Sequence, residues 1–277
     1  MVTLKEILEK KLTKKEFAES IFSYDMMGSI ATIEIPDELS KKEKIIGESI
    51  LKIHPHIKTV LKKVGIHKGR YRWQKLKVIA GEKTKIAEYK ENDSRLRLDV
   101  EKVYFSPRSG TERKRVYQQV KKGEKILVMF SGCAPYPIVI ARNAPAKEIY
   151  GIELNPLAHK FAVENIKLNK LSNVVLIKGD VKKEVLKLKK EKIKFDRIVM
   201  PLPKKAEVFL ESAFLVAKKG TIIHFYTFSH SDDFDEMKKK LKKKCKELGK
   251  SCRILKLVKC GHYSPRVYRI CIDFKVN

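Results

Sequence analysis

The stretch KILVMFSGCAPYPIVIARNAPAKEIYGIELNP, Lys125 to Pro156, decides the fold. KILVMF (125–130) and EIYGIE (148–153) are short apolar runs, and PIVIARNA between them has helical spacing. Strand, helix, strand in that order is a parallel unit, because parallel strands need a crossover. Asn155 before Pro156 is an N-cap with proline at the first helical position, so PLAHKFAVENIKLN (156–169) is the next helix. VVLIK (174–178), DRIVM (196–200) and TIIHFY (221–226) continue the strands, and KKAEVFLESAFLVAKK (204–219) is a helix closed by Gly220. The tail changes pattern. DDFDEMKKKLKKKCKELG (232–249) reads as a helix, and RILKLVK (253–259) and VYRICIDFKV (267–276) follow with no helix between them, which predicts an antiparallel pair.

A parallel sheet with an antiparallel C-terminal hairpin outlines a Rossmann-like class I methyltransferase domain of the α/β class. The first half is a smaller α+β domain. GSIATIEI (28–35) alternates as a strand, KKEKIIGESILKIH (41–54) as a helix, and shorter strands are expected around 57–64, 75–80 and 96–105. The expected domains are therefore 1–110 and 111–277.

The chain has 277 residues, 43% of them apolar, enough for a sizeable core. No apolar run is long enough to span a membrane. MVTLKEILEKKLTKKEF at the N-terminus reads as one amphipathic helix bearing acids, unlike a signal peptide. Lys+Arg 62 against Asp+Glu 33 gives a net charge of +29, which points to a polyanionic partner, most simply nucleic acid. Lysine runs at 181–194 and 237–250 read as solvated helix faces. Five cysteines form no CxxC pair and no His cluster, which argues against zinc and for reduced cytosolic thiols; Cys245 and Cys252 are one pair that could bridge.

Chemistry concentrates beyond the carboxyl ends of the strands, where doubly wound sheets bind their ligands. The first loop, SGCAPYP (131–137), has one glycine rather than the three a dinucleotide pyrophosphate needs, so it suits a ligand without phosphate there. Glu153, 21 residues after Gly132, ends the second strand and is placed to accept ribose hydroxyls. Asp180 ends the third; it reads an adenine amino group or caps the next helix. DRIVMPLPK (196–204) is a buried strand stopped by Pro201 and Pro203, which have no N–H to donate. In VYFSPRSGTERKR (103–115), Glu112 is a lone acid among basic residues, a proton acceptor or simply a helix N-terminal acid. Trp73 stacks on a base or, more commonly for a lone Trp, sits in the core, and His224 within TIIHFY reads as a satisfied strand histidine.

Taken together, GRYRWQKLKVIAGEK (69–83), VYFSPRSGTERKR, MFSGCAPYPI (129–138), GIELNP with VENIKLNKL (163–171), MPLPK (200–204), IIHFYT and YSPRVY resemble motifs of one family. It is the tRNA guanine-N1 methyltransferase family acting at position 37 of the anticodon loop, in its archaeal and eukaryotic branch, and the resemblance covers about residues 20–277. It implies a cytoplasmic, archaeal, monomeric enzyme whose partner is the tRNA anticodon stem-loop. The cofactor would be S-adenosyl-L-methionine, with in-line methyl transfer and no metal. Glu112 would be the general base at guanine N1, and Arg72, with Arg70 as rival, would hydrogen-bond O6 where charge develops. Arg113, Phe130, Glu153, Leu154, Asp180 and Leu202 would hold the cofactor, with Ser131, Gly132 and Val181 beside them and Tyr104 or Phe105 lining the pocket. Pro201 and Pro203 would wall the base, and Arg108, Lys204 and Arg266 would meet RNA, Arg266 alternatively capping an element. The base must be everted to reach such a site.

Three departures follow. Val128 stands where the family's first-strand motif carries an acid, which shifts anchoring to Glu153. The family's small N-terminal domain is expected to be absent, leaving tRNA to the lysine-rich surface. Pro201 replaces an asparagine amide, as in an archaeal wyosine-synthesis subgroup that methylates both guanine N1 and C7 of 4-demethylwyosine. The alternatives are an aminocarboxypropyl transferase of the same pathway and a non-catalytic RNA-binding protein on this fold.

Overall fold

The structure is a computed structural model and describes residues 2–69, 71 and 73–277. The chain divides into two compact units: Met1–Lys90 with Arg95–Pro107, and Glu91–Ser94 with Arg108–Asn277.

The first unit opens with helices α1 (Leu4–Glu9) and α2 (Lys14–Ala18), then strands β1 (Tyr24–Met27) and β2 (Ile30–Ile33). Helix α3 (Glu43–Ile53) crosses to β3 (Thr59–Lys68), followed by β4 (Trp73–Gly81), β5 (Ile86–Glu91) and β6 (Ser94–Asp99). The sheet runs β1-β2-β3-β4, with β2 and β3 parallel because α3 makes the crossover. Its core is Leu4, Leu8, Ile33, Ile46, Ile50 and Val60. Three expectations are corrected here. The N-terminal helix is two short helices, since Thr3 with Glu6 and Thr13 with Glu16 each close a capping box and so start a helix. GSIATIEI is a strand only over Ile30–Ile33, Gly28 turning with φ +57°. The strand expected at 96–105 is the second arm of a β5–β6 pair and ends at Asp99, whose Oδ1 accepts the Glu101 and Lys102 N–H groups.

The second unit holds α4 (Gly110–Tyr117), β7 (Lys125–Met129), α5 (Pro135–Asn143), β8 (Glu148–Glu153), α6 (Pro156–Leu168), β9 (Val174–Lys178) and α7 (Val181–Lys190). There follow β10 (Phe195–Met200), α8 (Leu210–Val216), β11 (Ala217–His230), α9 (Phe234–Glu247), β12 (Cys252–Ser264) and β13 (Val267–Val276). The sheet order is β12-β13-β11-β10-β7-β8-β9. Strands β7 to β11 pair in parallel and β13 pairs antiparallel with both β11 and β12, so the expected C-terminal hairpin is inserted edge-on. Helices α7, α8 and α9 bury Val185, Phe214 and Leu241 on one face; α4 and α5 bury Val116 and Ile140 on the other. The helix expected to reach Gly220 stops at Val216. Ala217 turns extended (φ −77°, ψ 157°) and Gly220 lies inside the long β11. Burial of Thr221 and Ile223 between β10 and β13 outweighs the helical propensity of AKK.

Candidate active site

Met129, Glu153, Lys178 and Met200 end the parallel strands, and the loops beyond them form the site. The loop after β7 is strained. Phe130, Gly132 and Ala134 take φ of +58°, +59° and +67°. Left-handed backbone costs an L residue roughly 1–2 kcal/mol, and such strain persists where the surroundings enforce it. Here Glu153 enforces it. Its Oε2 accepts the Gly132 N–H at 2.7 Å and its Oε1 accepts the Asn155 N–H at 2.7 Å. Burial pushes the Glu153 carboxyl above its ordinary value, against the pull of the Asn155, Gly132 and Leu154 N–H groups. Three N–H groups reach the carboxylate, which leaves acceptor capacity for one ligand hydroxyl. Ser131 is buried and its Oγ has no partner among the described residues. A Cβ on Gly151 would come within 3.1 Å of that Oγ, so this glycine is what lets β8 pass beneath the loop. An unpaired buried hydroxyl beside a carboxylate with one acceptor site left suits a sugar-bearing ligand.

The other sequence-identified residues fall as follows. Asp180 caps α7, its Oδ1 accepting the Lys182 N–H at 2.9 Å; the capping alternative is the one seen. Val181 is in the core against α7's partners. Leu154 and Leu202 are half-buried, and Phe130 meets Phe209 edge-to-face at 4.7 Å. Arg113 is buried in a bidentate pair with Glu91 (Nε–Oε1 2.5 Å, Nη2–Oε2 2.6 Å), which commits much of its guanidinium to the protein. Pro201 and Pro203 are half-buried and Lys204 is exposed. Arg108 is exposed, and Arg266 donates to both oxygens of Asp232 at 3.0 and 2.8 Å. Tyr104 belongs to the first unit and is 41% exposed. Trp73, also in the first unit, is 45% exposed, so its core reading is overturned. Arg70 and Arg72 lie outside the described residues.

Glu112 is the centre of a buried network that sequence reading missed. It is 6% exposed. Arg115 donates to it twice, Nε to Oε2 at 2.8 Å and Nη2 to Oε1 at 2.7 Å, and Tyr226 donates its hydroxyl to Oε1 at 2.5 Å. Tyr136 meets the Tyr226 hydroxyl at 2.9 Å, and burial pushes both phenols up. Arg115 also donates Nη1 to Asp273 Oδ2 at 2.5 Å. Asp273 accepts from His224 Nδ1 at 2.6 Å, and Arg197 reaches His224 Nε2 at 2.8 Å and Glu124 Oε2 at 2.8 Å. Arg197 can only donate, so His224 Nε2 accepts and its proton sits on Nδ1. Burial pushes His224 down, consistent with a neutral ring. The expected satisfied strand histidine is thus one link in a charged chain. The available signal was composition: Arg197, His224 and Asp273 interrupt otherwise apolar strands, and buried charges are rare unless paired. His224, Cys271 and Asp273 are close enough to ligate a metal, but Arg115 and Arg197 already donate into the cluster and would repel a cation.

The fold and this site define a Rossmann-like class I methyltransferase. The profile of the TRM5/TYW2 methyltransferase domain matches residues 87–255, and that of the TYW2 N-terminal domain matches residues 4–84. The chain is 41% identical over 263 residues to tRNA (guanine(37)-N(1))-methyltransferase Trm5b of Pyrococcus abyssi, covering 92% of this chain and 75% of that protein. It is 37% identical over 268 residues to the tRNA (guanine(37)-N(1))/4-demethylwyosine(37)-methyltransferase Taw22 of Nanoarchaeum equitans, covering 79% and 88%. Among solved structures, the complex of aTrm5 and tRNALeu matches with a TM-score of 0.86 at 36% identity, covering 100% of this chain and 78% of that one. The chain belongs to the TRM5/TYW2 family of S-adenosylmethionine-dependent methyltransferases and is an enzyme of that family. The family likeness begins at residue 4, earlier than the expected 20.

Proposed function

We propose that this enzyme methylates the purine at position 37 of tRNA, at guanine N1 and at C7 of 4-demethylwyosine. One observation carries the reading. The β10–β11 register pairs Met200 with Phe225, so the next residues, Pro201 and Tyr226, are level, and Tyr226 holds Glu112. The end of β10, from which the Pro201 segment leaves, lies beside the strand whose Tyr226 holds Glu112, and this supports the reading. Glu153, Ser131 and the Phe130 region would hold the cofactor. When bound, S-adenosylmethionine supplies an electrophilic methyl group.

Glu112 would take the N1 proton. Its carboxylate already accepts three hydrogen bonds, and the Cys260 thiol lies against it as well. A proton acceptor in this position needs a donor to yield. Arg115 is the donor able to do so, because Asp273 holds the same guanidinium from its other side. Pro201 offers no amide to a base edge, so it does not penalise the tricyclic base as an asparagine donor would. The exposed lysines of α7 and α9 would meet phosphates, with binding that weakens steeply in salt. The likeness of residues 4–84 to the TYW2 N-terminal domain favours aminocarboxypropyl transfer as a second reading.

The test incubates enzyme and cofactor with tRNA bearing guanosine or 4-demethylwyosine at position 37, followed by nucleoside mass spectrometry. A methyl gain on each base, with S-adenosylhomocysteine released, is expected; methylthioadenosine would establish the second reading instead. Glu112→Gln should slow methylation of guanosine about 10²- to 10⁴-fold while cofactor affinity holds. Wild-type rates in that variant would remove Glu112 from proton transfer.

A further inference from the structure

Phe228 lies two residues past Tyr226 on β11, and therefore on the same face, about 7 Å further toward the loops. Its ring packs on Tyr263, with centroids 4.4 Å apart and planes tilted by 39°. Tyr263 comes from the last residues of β12, and yet it is 56% exposed. Phe228 covers one side of the ring and leaves more than half of the residue open. Lys204, the last residue of the Pro201–Lys204 segment, brings its Nζ to 5.5 Å from the Tyr263 ring centroid. The β12–β13 turn is drawn up to this corner because Val267 pairs with His230 at the far end of β11.

An exposed aromatic backed by a second ring, with a lysine beside it, is an arrangement that binds unpaired nucleobases. The ring supplies a sequence-tolerant face, and the lysine attracts the phosphodiester backbone. A merely structural Tyr–Phe pair would place the outer ring under cover. Here the outer ring is open and packs on Phe228, which shares a face of β11 with Tyr226, the donor to Glu112.

We propose that Tyr263, backed by Phe228, is the stacking platform for the everted target purine, with Lys204 drawing in the adjoining phosphate. The platform rests on the reading of the chain as an RNA methyltransferase. It adds a specificity element indifferent to the base edge, as expected of a pocket that admits both guanine and a larger fused ring.

The test uses an anticodon stem-loop RNA with 2-aminopurine at position 37, titrated with intact enzyme in the absence of cofactor. Stacking quenches this probe. Wild type and Tyr263→Phe should quench it and bind alike. Tyr263→Leu keeps an apolar contact on Phe228 but has no π-face; it and Tyr263→Ala should lose the quenching and bind the RNA roughly 5- to 150-fold more weakly. S-adenosylmethionine affinity and melting temperature serve as folding controls and should match wild type in Tyr263→Leu. Quenching and affinity retained in Tyr263→Leu would overturn the platform. So would quenching seen only with the probe at a neighbouring position. If wild type methylates tRNA while Tyr263→Leu is indistinguishable from it, the platform alone fails. If wild type neither binds nor methylates any RNA, the parent reading fails with it.

Discussion

Replacing Asp273 with asparagine tests the buried chain behind Glu112. Asp273 is 2% exposed, and its oxygens accept from Arg115 Nη1 at 2.5 Å, Arg115 Nη2 at 3.2 Å and His224 Nδ1 at 2.6 Å. Asparagine keeps the shape, removes the charge and turns an NH2 toward a guanidinium or a ring N–H. Breaking a buried pair by removing one partner costs about 3–5 kcal/mol. The Arg115 side chain is 20% exposed and keeps Glu112, so the loss belongs at the lower end, about 3 kcal/mol. For a unit of this size that is a fall in Tm of roughly 6–12 °C. The pH dependence has a definite sign. Burial would raise the Asp273 carboxyl, but the His224 and Arg115 contacts outweigh it and hold it well below the usual carboxylate range. A depressed pKa stabilises above the unfolded value, about 4, and that contribution is lost as pH falls through the folded value. Wild type and Asp273→Asn should therefore differ by a constant amount between about pH 5 and 8 and converge only in strong acid. Guanidinium unfolding followed by far-UV circular dichroism measures this. A difference below about 1 kcal/mol at neutral pH would put the pair among weak surface ion pairs and refute the reasoning.

Three further outcomes are expected. Glu153→Gln turns an NH2 toward the N–H of Gly132 or Asn155, so calorimetry should show cofactor affinity falling roughly 10- to 100-fold; an unchanged affinity would take Glu153 out of the binding site. Pro201→Asn should narrow methylation toward guanosine over 4-demethylwyosine in paired mass-spectrometric assays, and unchanged selectivity would count against the proline wall. Cys245 and Cys252 hold their Sγ atoms 2.9 Å apart, so glutathione disulfide should convert both thiols to one disulfide, releasing two glutathione thiols. Peptide mapping would show the bridge, an increased Tm is expected because the cross-link restricts the unfolded chain, and the Cys252→Ser control should show neither.

Local signals made much of this protein legible. Asn155–Pro156 marked the start of α6, since its side chain does accept the Leu157 and Ala158 N–H groups. The apolar runs at 125–130, 148–153, 174–178 and 196–200 became β7 to β10 within a residue. The absence of a helix between 253 and 276 correctly announced an antiparallel pair. Errors had two origins. Tertiary burial overrode local preference where AKK joined β11, because its continuation is buried between β10 and β13; at the N-terminus the missed signal was itself local, since Thr3 with Glu6 and Thr13 with Glu16 each start a separate helix.

What the sequence by itself determined is therefore the order of elements, the family motifs and the loop chemistry, all of which rest on neighbours within a few residues. Only the tertiary structure decided who meets Glu112. Arg115 is three residues away, but Asp273 lies 158 residues beyond Arg115 and Tyr226 lies 114 beyond Glu112. Contacts over such separations depend on sheet order and register, which place β13 against β11 and bring Phe228 against Tyr263. No local propensity encodes that pairing. The burial of the apolar faces selects it, and the charged chain then forms because every buried charge must find its partner.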